Sequence, residues 1–142
     1  LLRQMIKMAA KDKGLEKPSE MLSRFNPKKV EKDWGHEIWL ANNAEEDYCG
    51  KILYIKKGYH SSMHYHEDKH ETFYVLEGTL RVDMLRDKEK ADACPFTMTC
   101  KQGESMEMER GQAHMLMATE GDVTLIEISK FHRDEDSYRL YR

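Results

Sequence analysis

The feature that most constrains the fold is a series of short segments with alternating apolar and polar residues, which begins near Val30. Turn residues separate the segments: "YCGKILYI" precedes "KKGYHSS", and "ETFYVLEG" passes through Gly78 into "TLRVDMLR". Later segments of the same kind are "FTMTC", "ESMEMER", "AHMLMAT" and "VTLIEIS". Short strands with turns about every eight to twelve residues predict an all-β barrel or sandwich.

The first part of the chain follows a different pattern. Residues 1–30 are predicted to form a helical arm, because apolar residues recur at helical spacing before Gly14, a natural helix stop. These apolar residues are Leu2, Met5, Ile6 and Ala9. A second short helix is predicted over Glu20–Phe25. We expect the β-barrel over residues 31–130 and a charged tail, residues 131–142, that packs on the barrel through its aromatic side chains.

Composition narrows the classes of function. A chain of 142 residues is long enough for one domain with an apolar core. The formal net charge of −3 argues against an electrostatic nucleic-acid binder. No apolar run approaches the roughly 20 residues that a membrane helix needs. Three cysteines at uneven spacing, without a C-x-x-C pair, favour a reducing compartment over a disulfide scaffold, so the predicted location is cytoplasmic.

The stretch "HYHEDKHE", residues 64–71, concentrates histidine and acidic residues. In a strand, His64 and His66 project from the same face because they are two residues apart. Glu71 follows far enough along for a tight turn to bring the next strand alongside, so two imidazoles and a carboxylate can converge on one point. The residues between them, 67–70, are predicted to form a polar, mobile loop tip.

These residues resemble the first motif of the cupin superfamily, G-x5-H-x-H-x4-E-x6-G, at every position. The matching residues are Gly58, His64, His66, Glu71 and Gly78. The second cupin motif, G-x5-P-x-G-x2-H-x3-N, is matched at Gly103, Gly111 and His114, while Glu109 and Ala118 replace its proline and asparagine. The resemblance implies a double-stranded β-helix, or jelly-roll barrel, preceded here by a short N-terminal helical segment.

The resemblance also implies a metal site. By position, the ligands would be His64, His66, Glu71 and His114. Three neutral imidazoles and one carboxylate suit one divalent transition metal, either Zn, Mn, Fe, Ni or Co, and leave positions open for water or substrate. Cupins commonly pair through an edge strand or an exchanged N-terminal segment, which implies a homodimer.

The flanking segments resemble the cupin-type mannose-6-phosphate isomerases. The similarity lies in Trp34, Gly35 and Glu37 before the motif, and in the acidic stretch that runs into an arginine at 134–139. It implies an aldose–ketose isomerase that acts on a carbohydrate ligand, a sugar or sugar phosphate. In such a reaction a positioned base moves a proton between adjacent carbons; the sequence does not identify the base.

Three residues are candidates for contact with the substrate. Lys51 and Arg81 can meet a phosphate or sugar hydroxyls if they face into the barrel, and Tyr54 can form part of the pocket wall. Two other functions stay open at this stage. The same ligand set can serve a non-heme Fe(II) oxygenase, and a small cupin can act as a non-enzymatic module that binds a sugar or a metal.

Overall fold

The computed structural model describes residues 24–142 and contains eleven β-strands in that part of the chain. The strands are β1 (Lys28–Lys32), β2 (Gly35–Asn43), β3 (Tyr48–Ile55), β4 (Met63–Tyr65), β5 (Glu71–Glu77), β6 (Thr79–Met84), β7 (Phe96–Lys101), β8 (Ser105–Met108), β9 (His114–Met117), β10 (Val123–Ser129) and β11 (Tyr138–Tyr141). A single 3-10 turn, Asp134–Asp136, precedes β11. The all-β prediction is confirmed.

The strands form two antiparallel sheets. One sheet has the order β1-β2-β3-β10-β5-β8 and the other the order β11-β4-β9-β6-β7. Several neighbouring strands in each sheet come from distant parts of the chain, as β3, β10 and β5 do in the first sheet and β11, β4 and β9 in the second. Such long crossovers between two sheets are typical of a jelly roll.

The apolar core lies between the two sheets and follows the alternation of the strands. In β5, Phe73 and Val75 are buried while Tyr74 and Leu76 are exposed. The main cluster also takes up buried residues of β3, β6, β9 and β10, among them Leu53, Leu80, Val82, Leu116, Val123 and Leu125. Each fully buried side chain of this kind stabilises the fold by about 1.5–3 kcal/mol. The burial of this cluster therefore stabilises the packing of the two sheets against each other.

Both ends of the described chain form strands that extend beyond the barrel predicted over residues 31–130. Strand β1 begins at Lys28, before the expected start of the barrel at residue 31. The C-terminal residues 138–141 add a strand to the second sheet, where Arg139 lies opposite His64. The helix predicted over residues 1–13 and most of the one predicted over Glu20–Phe25 lie outside the described residues, and Phe25 itself is not helical. No helix within residues 24–142 is long and apolar enough to cross a membrane.

The hairpin between β5 and β6 depends on a glycine. Gly78 has a φ of +84°, a backbone conformation that residues with a side chain rarely adopt. A Cβ at this position would lie 2.3 Å from the carbonyl oxygen of Asp122, just before β10. Only glycine therefore allows β6 to leave β5 so close to the neighbouring strand.

We predict that Gly78→Ala lowers the free energy of unfolding by roughly 3 kcal/mol or more, because it combines backbone strain with a clash against the main chain. Gly103→Ala, with a φ of +86° but open space around the added Cβ, should cost about 1 kcal/mol. Gly50→Ala, which has neither problem, should cost nothing measurable. Urea unfolding of the three variants tests this order, and equal midpoints for Gly78→Ala and Gly103→Ala would contradict it.

Candidate metal centre

Strand pairing brings the two histidine motifs together. His64 in β4 lies directly opposite His114 in β9, although 50 residues separate them in the sequence. His66 follows the end of β4, and Glu71 begins β5 on the facing sheet. The four residues that the cupin resemblance selects therefore meet between the two sheets.

The geometry of the four side chains is that of a compact cluster. Ring nitrogens of His64, His66 and His114 all lie within 4.8 Å of one another. The Oε1 atom of Glu71 is 3.6 Å from Nε2 of His66, and its Oε2 atom is 3.3 Å from Nε2 of His114. His66, Glu71 and His114 are buried, with at most 4% of each residue exposed. Donor atoms thus surround one small, largely dry space.

Backbone carbonyls orient the three imidazoles. Nδ1 of His64 lies 2.9 Å from the carbonyl oxygen of Ser62, and Nδ1 of His114 lies 2.9 Å from that of Gln112. Nδ1 of His66 lies 2.8 Å from the carbonyl oxygen of Asp136. Because a carbonyl can only accept, each Nδ1 must carry the proton and donate it. In the neutral rings each Nε2 then keeps a free lone pair, as in metal-bound histidines with an oriented second nitrogen.

Burial and neighbouring charges set the protonation states. Burial lowers the pKa of His64 to about 3, and the adjacent His114 and His66 act in the same direction. Burial also lowers the pKa of His66. For Glu71, burial would raise the pKa, but His114 and the ammonium of Lys69 hold it well below its ordinary value. At neutral pH the cluster therefore presents neutral His64 and His66 rings and an ionised carboxylate.

Two of the atoms that could bind a metal have no hydrogen-bond partner among the described residues. Among residues 24–142, the buried atoms Oε2 of Glu71 and Nε2 of His114 have no hydrogen bond. While the His114 ring is neutral with its proton on Nδ1, both atoms are acceptors, and their 3.3 Å separation brings two lone pairs together. Unsatisfied buried acceptors are costly, and a cation between them removes the cost. This is the local sign that the residues fit a divalent transition metal.

The cluster forms part of the wall of a cavity of about 780 Å³. Beyond the histidines, the wall is strongly polar and contains Lys69, Glu127, Lys51, Glu37 and His132. Of these, Lys51, Lys69 and Glu127 are each less than 5% exposed. A cavity of this size and polarity can hold a small molecule that carries several hydrogen-bonding groups.

The prediction that residues 67–70 form a polar loop tip is wrong for Lys69, which is buried. Glu67 and Asp68 are exposed, but Lys69 is 3% exposed and points inward. Its Nζ atom lies 2.9 Å from Oε1 of Glu71 and 3.2 Å from Oε2 of Glu127. Burial would lower the pKa of Lys69, but Glu127 and Glu71 raise it above its ordinary value, so the side chain is a buried ammonium.

The loop is held by Asp136, 65 or more residues further along the chain. Its carboxylate accepts the backbone N–H groups of Glu67, Asp68 and Lys69, at 2.9, 3.1 and 3.0 Å. Burial would raise the pKa of Asp136, but these three donors keep it below its ordinary value. No local pattern in the loop reveals this restraint, because the restraining residue belongs to the C-terminal segment.

Of the three predicted substrate-binding residues, only Lys51 borders the cavity. Its Nζ atom is 3.1 Å from Oε1 of Glu37 and lies over the ring of Trp39. Tyr54 is three residues further along β3 and so faces the other side of the sheet, where its hydroxyl donates to Asp122. Arg81 lies between the buried Leu80 and Val82 and pairs with Asp83 outside the cavity.

Two buried acidic residues of the cavity, Glu37 and Glu127, were absent from the sequence-based substrate candidates. Glu127 shares the inward face of β10 with Val123 and Leu125, and this alternation in "VTLIEIS" is a signal that identifies it. Glu37 similarly shares a buried face of β2 with Gly35. His132 has no such signal, because it lies in an irregular segment.

We predict that metal-free protein loses stability as the pH falls below about 6.5, because the unfolded chain then binds protons that buried His64, with its folded pKa near 3, does not. Between pH 6.5 and 5, His64 alone should account for about 2 kcal/mol of this loss. Urea unfolding in a chelator, at both pH values, should therefore show a smaller loss in His64→Gln than in wild type. Equal losses in the two proteins would contradict the assignment.

The chain matches known proteins in sequence and in structure. Residues 51–129, more than half of the chain, match the model of the Cupin domain family. Comparison with curated proteins gives no significant match. Among solved structures, the capsular polysaccharide assembling protein CapF from Staphylococcus aureus aligns with a TM-score of 0.69 at 17% identity, over 84% of this chain and 35% of CapF.

Two further structures show the same likeness. Oxalate decarboxylase from Bacillus subtilis has a TM-score of 0.67 at 14% identity, over 84% of this chain and 33% of the enzyme. KdgF from Halomonas sp. has a TM-score of 0.60 at 18% identity, over 78% of this chain and 92% of KdgF. The chain thus spans about a third of the first two proteins and most of the length of the third. At these identities the likeness shows a common fold.

The predicted jelly-roll barrel is therefore confirmed by the matching domain model and by the shared fold, and the histidines of both motifs meet inside it. This chain belongs to the cupin family.

Proposed function

We propose that the chain binds one divalent transition metal through His64, His66, Glu71 and His114 and uses it in a sugar or sugar-phosphate isomerisation. The observation that carries the metal site is the pair of buried atoms, Oε2 of Glu71 and Nε2 of His114, which lie 3.3 Å apart and have no hydrogen bond within residues 24–142. When bound, the metal would polarise a substrate carbonyl and acidify the adjacent C–H group.

The cavity wall offers a residue that can move the proton. Glu127 is the carboxylate on the inward face of β10, close to the metal cluster but outside it. Burial raises the pKa of Glu127, and the negative charge of Glu71 adds to the effect. A carboxylate with a raised pKa is a better base at neutral pH than an ordinary one. We assign to Glu127 the transfer of the proton between adjacent carbons of the sugar.

Residues in the flanking segments support a carbohydrate ligand. Trp34, Glu37, Asp134 and Arg139, which carry the resemblance to sugar-phosphate isomerases, all line the same cavity as the metal cluster. They combine an aromatic face with both acceptors and donors, the groups that sugar hydroxyls require. CapF, which shares the fold, is described as a capsular polysaccharide assembling protein, and this agrees with a role in carbohydrate chemistry.

The metal site is tested by elemental analysis of purified protein. Wild type should carry close to one transition metal ion per chain, and a His64→Ala/His114→Ala variant should carry almost none, because two of four ligands are lost. His70→Ala is the matched control, since His70 belongs to the same histidine-rich stretch but not to the cluster. Wild-type protein that stays metal-free after reconstitution would contradict the proposal.

The reaction is tested by following the interconversion of mannose 6-phosphate and fructose 6-phosphate. Glu127→Gln should lower turnover by roughly 100-fold or more while it keeps the metal, because only the proton transfer is lost. Glu107→Gln, an exposed glutamate on β8, is the control and should keep full activity.

Three results would lead away from this reaction. Metal without turnover would exclude these two substrates, and other sugars would then be tested in the same assay. Oxygen consumption by iron-loaded protein would favour an oxygenase. Ligand binding without any turnover would favour a binding module.

The homodimer and the cytoplasmic location are also part of the proposal. The mass of the purified chain in solution, measured by light scattering, should be twice the 16.8 kDa of one chain. A monomeric mass across the accessible concentration range would contradict the dimer.

A further inference from the structure

The two oxygens of Glu71 have different surroundings. Oε1 accepts the ammonium of Lys69 at 2.9 Å. Oε2 is buried and, within residues 24–142, has no hydrogen-bond partner. A glutamate side chain without an ion pair could bind a metal through both of its oxygens. In Glu71, one oxygen already forms an ion pair with Lys69.

Lys69 is fixed on three sides. Besides Glu71, its Nζ atom contacts Oε2 of Glu127 at 3.2 Å and Nδ1 of His132 at 3.1 Å. Nε2 of His132 lies 3.0 Å from Oδ1 of Asp134, so this nitrogen donates and Nδ1 accepts. An ammonium has three protons, and three acceptors surround it. The side chain therefore has no proton left for a substrate.

The charge balance also requires the ammonium. Glu71 and Glu127 are both less than 5% exposed, and both contact Lys69. Two buried carboxylates this close repel each other unless a cation lies between them. Lys69 provides that cation whether or not a metal is present, and it contacts Glu71 through Oε1, which leaves Oε2 without a partner among the described residues.

We propose that Lys69 is a positioning residue that restricts Glu71 to one-oxygen ligation through Oε2, so that the metal keeps two open positions for substrate. Three Nε2 atoms and one oxygen leave two positions on a six-coordinate ion, whereas two-oxygen ligation by Glu71 would leave one. This inference rests on the metal binding proposed above, but not on the isomerase reaction.

Two variants test the role of Lys69. Lys69→Met leaves Glu127 buried without its cation and can fail to fold for that reason alone. The double variant Lys69→Met/Glu127→Gln removes the ammonium and the Glu127 carboxylate together at nearly constant volume, so position 127 no longer carries an unpaired buried charge. Lys51→Met/Glu37→Gln is the matched control, because it removes the other buried ion pair of the same cavity without touching Glu71.

The measurement is a titration of the Co²⁺-loaded proteins with acetohydroxamate, followed by visible absorption. Acetohydroxamate binds a metal through two oxygens and therefore needs two open positions. In Lys69→Met/Glu127→Gln, the affinity for acetohydroxamate should fall by roughly tenfold, because the second oxygen of Glu71 is free to occupy one of these positions. The Lys51→Met/Glu37→Gln control should keep the wild-type affinity at the same cobalt stoichiometry.

Several outcomes would overturn the inference. An unchanged affinity for acetohydroxamate in Lys69→Met/Glu127→Gln would show that Lys69 does not restrict Glu71. The same change in both double variants would assign the effect to the general charge of the cavity. A folded Lys69→Met/Glu127→Gln protein without cobalt would show that Lys69 is needed for binding itself. Wild type that binds no cobalt would remove the proposed metal function, and that result is distinct from the other three.

Discussion

The candidate site depends on Asp136, a residue of the C-terminal segment. Its carboxylate accepts three backbone N–H groups of the loop between β4 and β5, and its carbonyl oxygen accepts the Nδ1 proton of His66. One residue thus fixes both a candidate ligand and the path of the chain toward Glu71. Asp136 therefore restrains the backbone of the loop, while Glu71 and Glu127 bind the Lys69 ammonium that this backbone directs inward.

Inside the barrel, the polar residues are arranged so that almost every buried charge has a partner. Lys69 lies between Glu71 and Glu127, and Lys51 pairs with Glu37. Burying such charges costs free energy that the core beneath them must offset, since buried ion pairs rarely stabilise a fold. The exception is the pair of buried atoms on Glu71 and His114 that have no hydrogen bond within residues 24–142, and the proposed metal would give both of them a partner.

Much of the site could be predicted from short-range pattern. The spacing of His64, His66 and Glu71 follows from the period of a strand and one tight turn, and the inward position of Glu127 can be seen in the alternation of β10. The same alternation explains why two predicted substrate-binding residues were wrong, because Tyr54 and Arg81 lie on the faces of their strands that point away from the cavity. Lys69 could not be assigned, since its contacts with Glu127 and His132 and the restraint from Asp136 all come from residues 58 or more positions away.

The sequence by itself determined most of the strands and their inward faces, because these depend on periodicity, and its match to the cupin motifs selected the four candidate ligands. Tertiary structure alone decided which of those residues share a cavity. The pairing of β4 with β9 sets His64 against His114, and the return of the chain at Asp136 turns Lys69 toward Glu71. Both contacts join distant parts of the chain, and local pattern carries no information about which strands become neighbours.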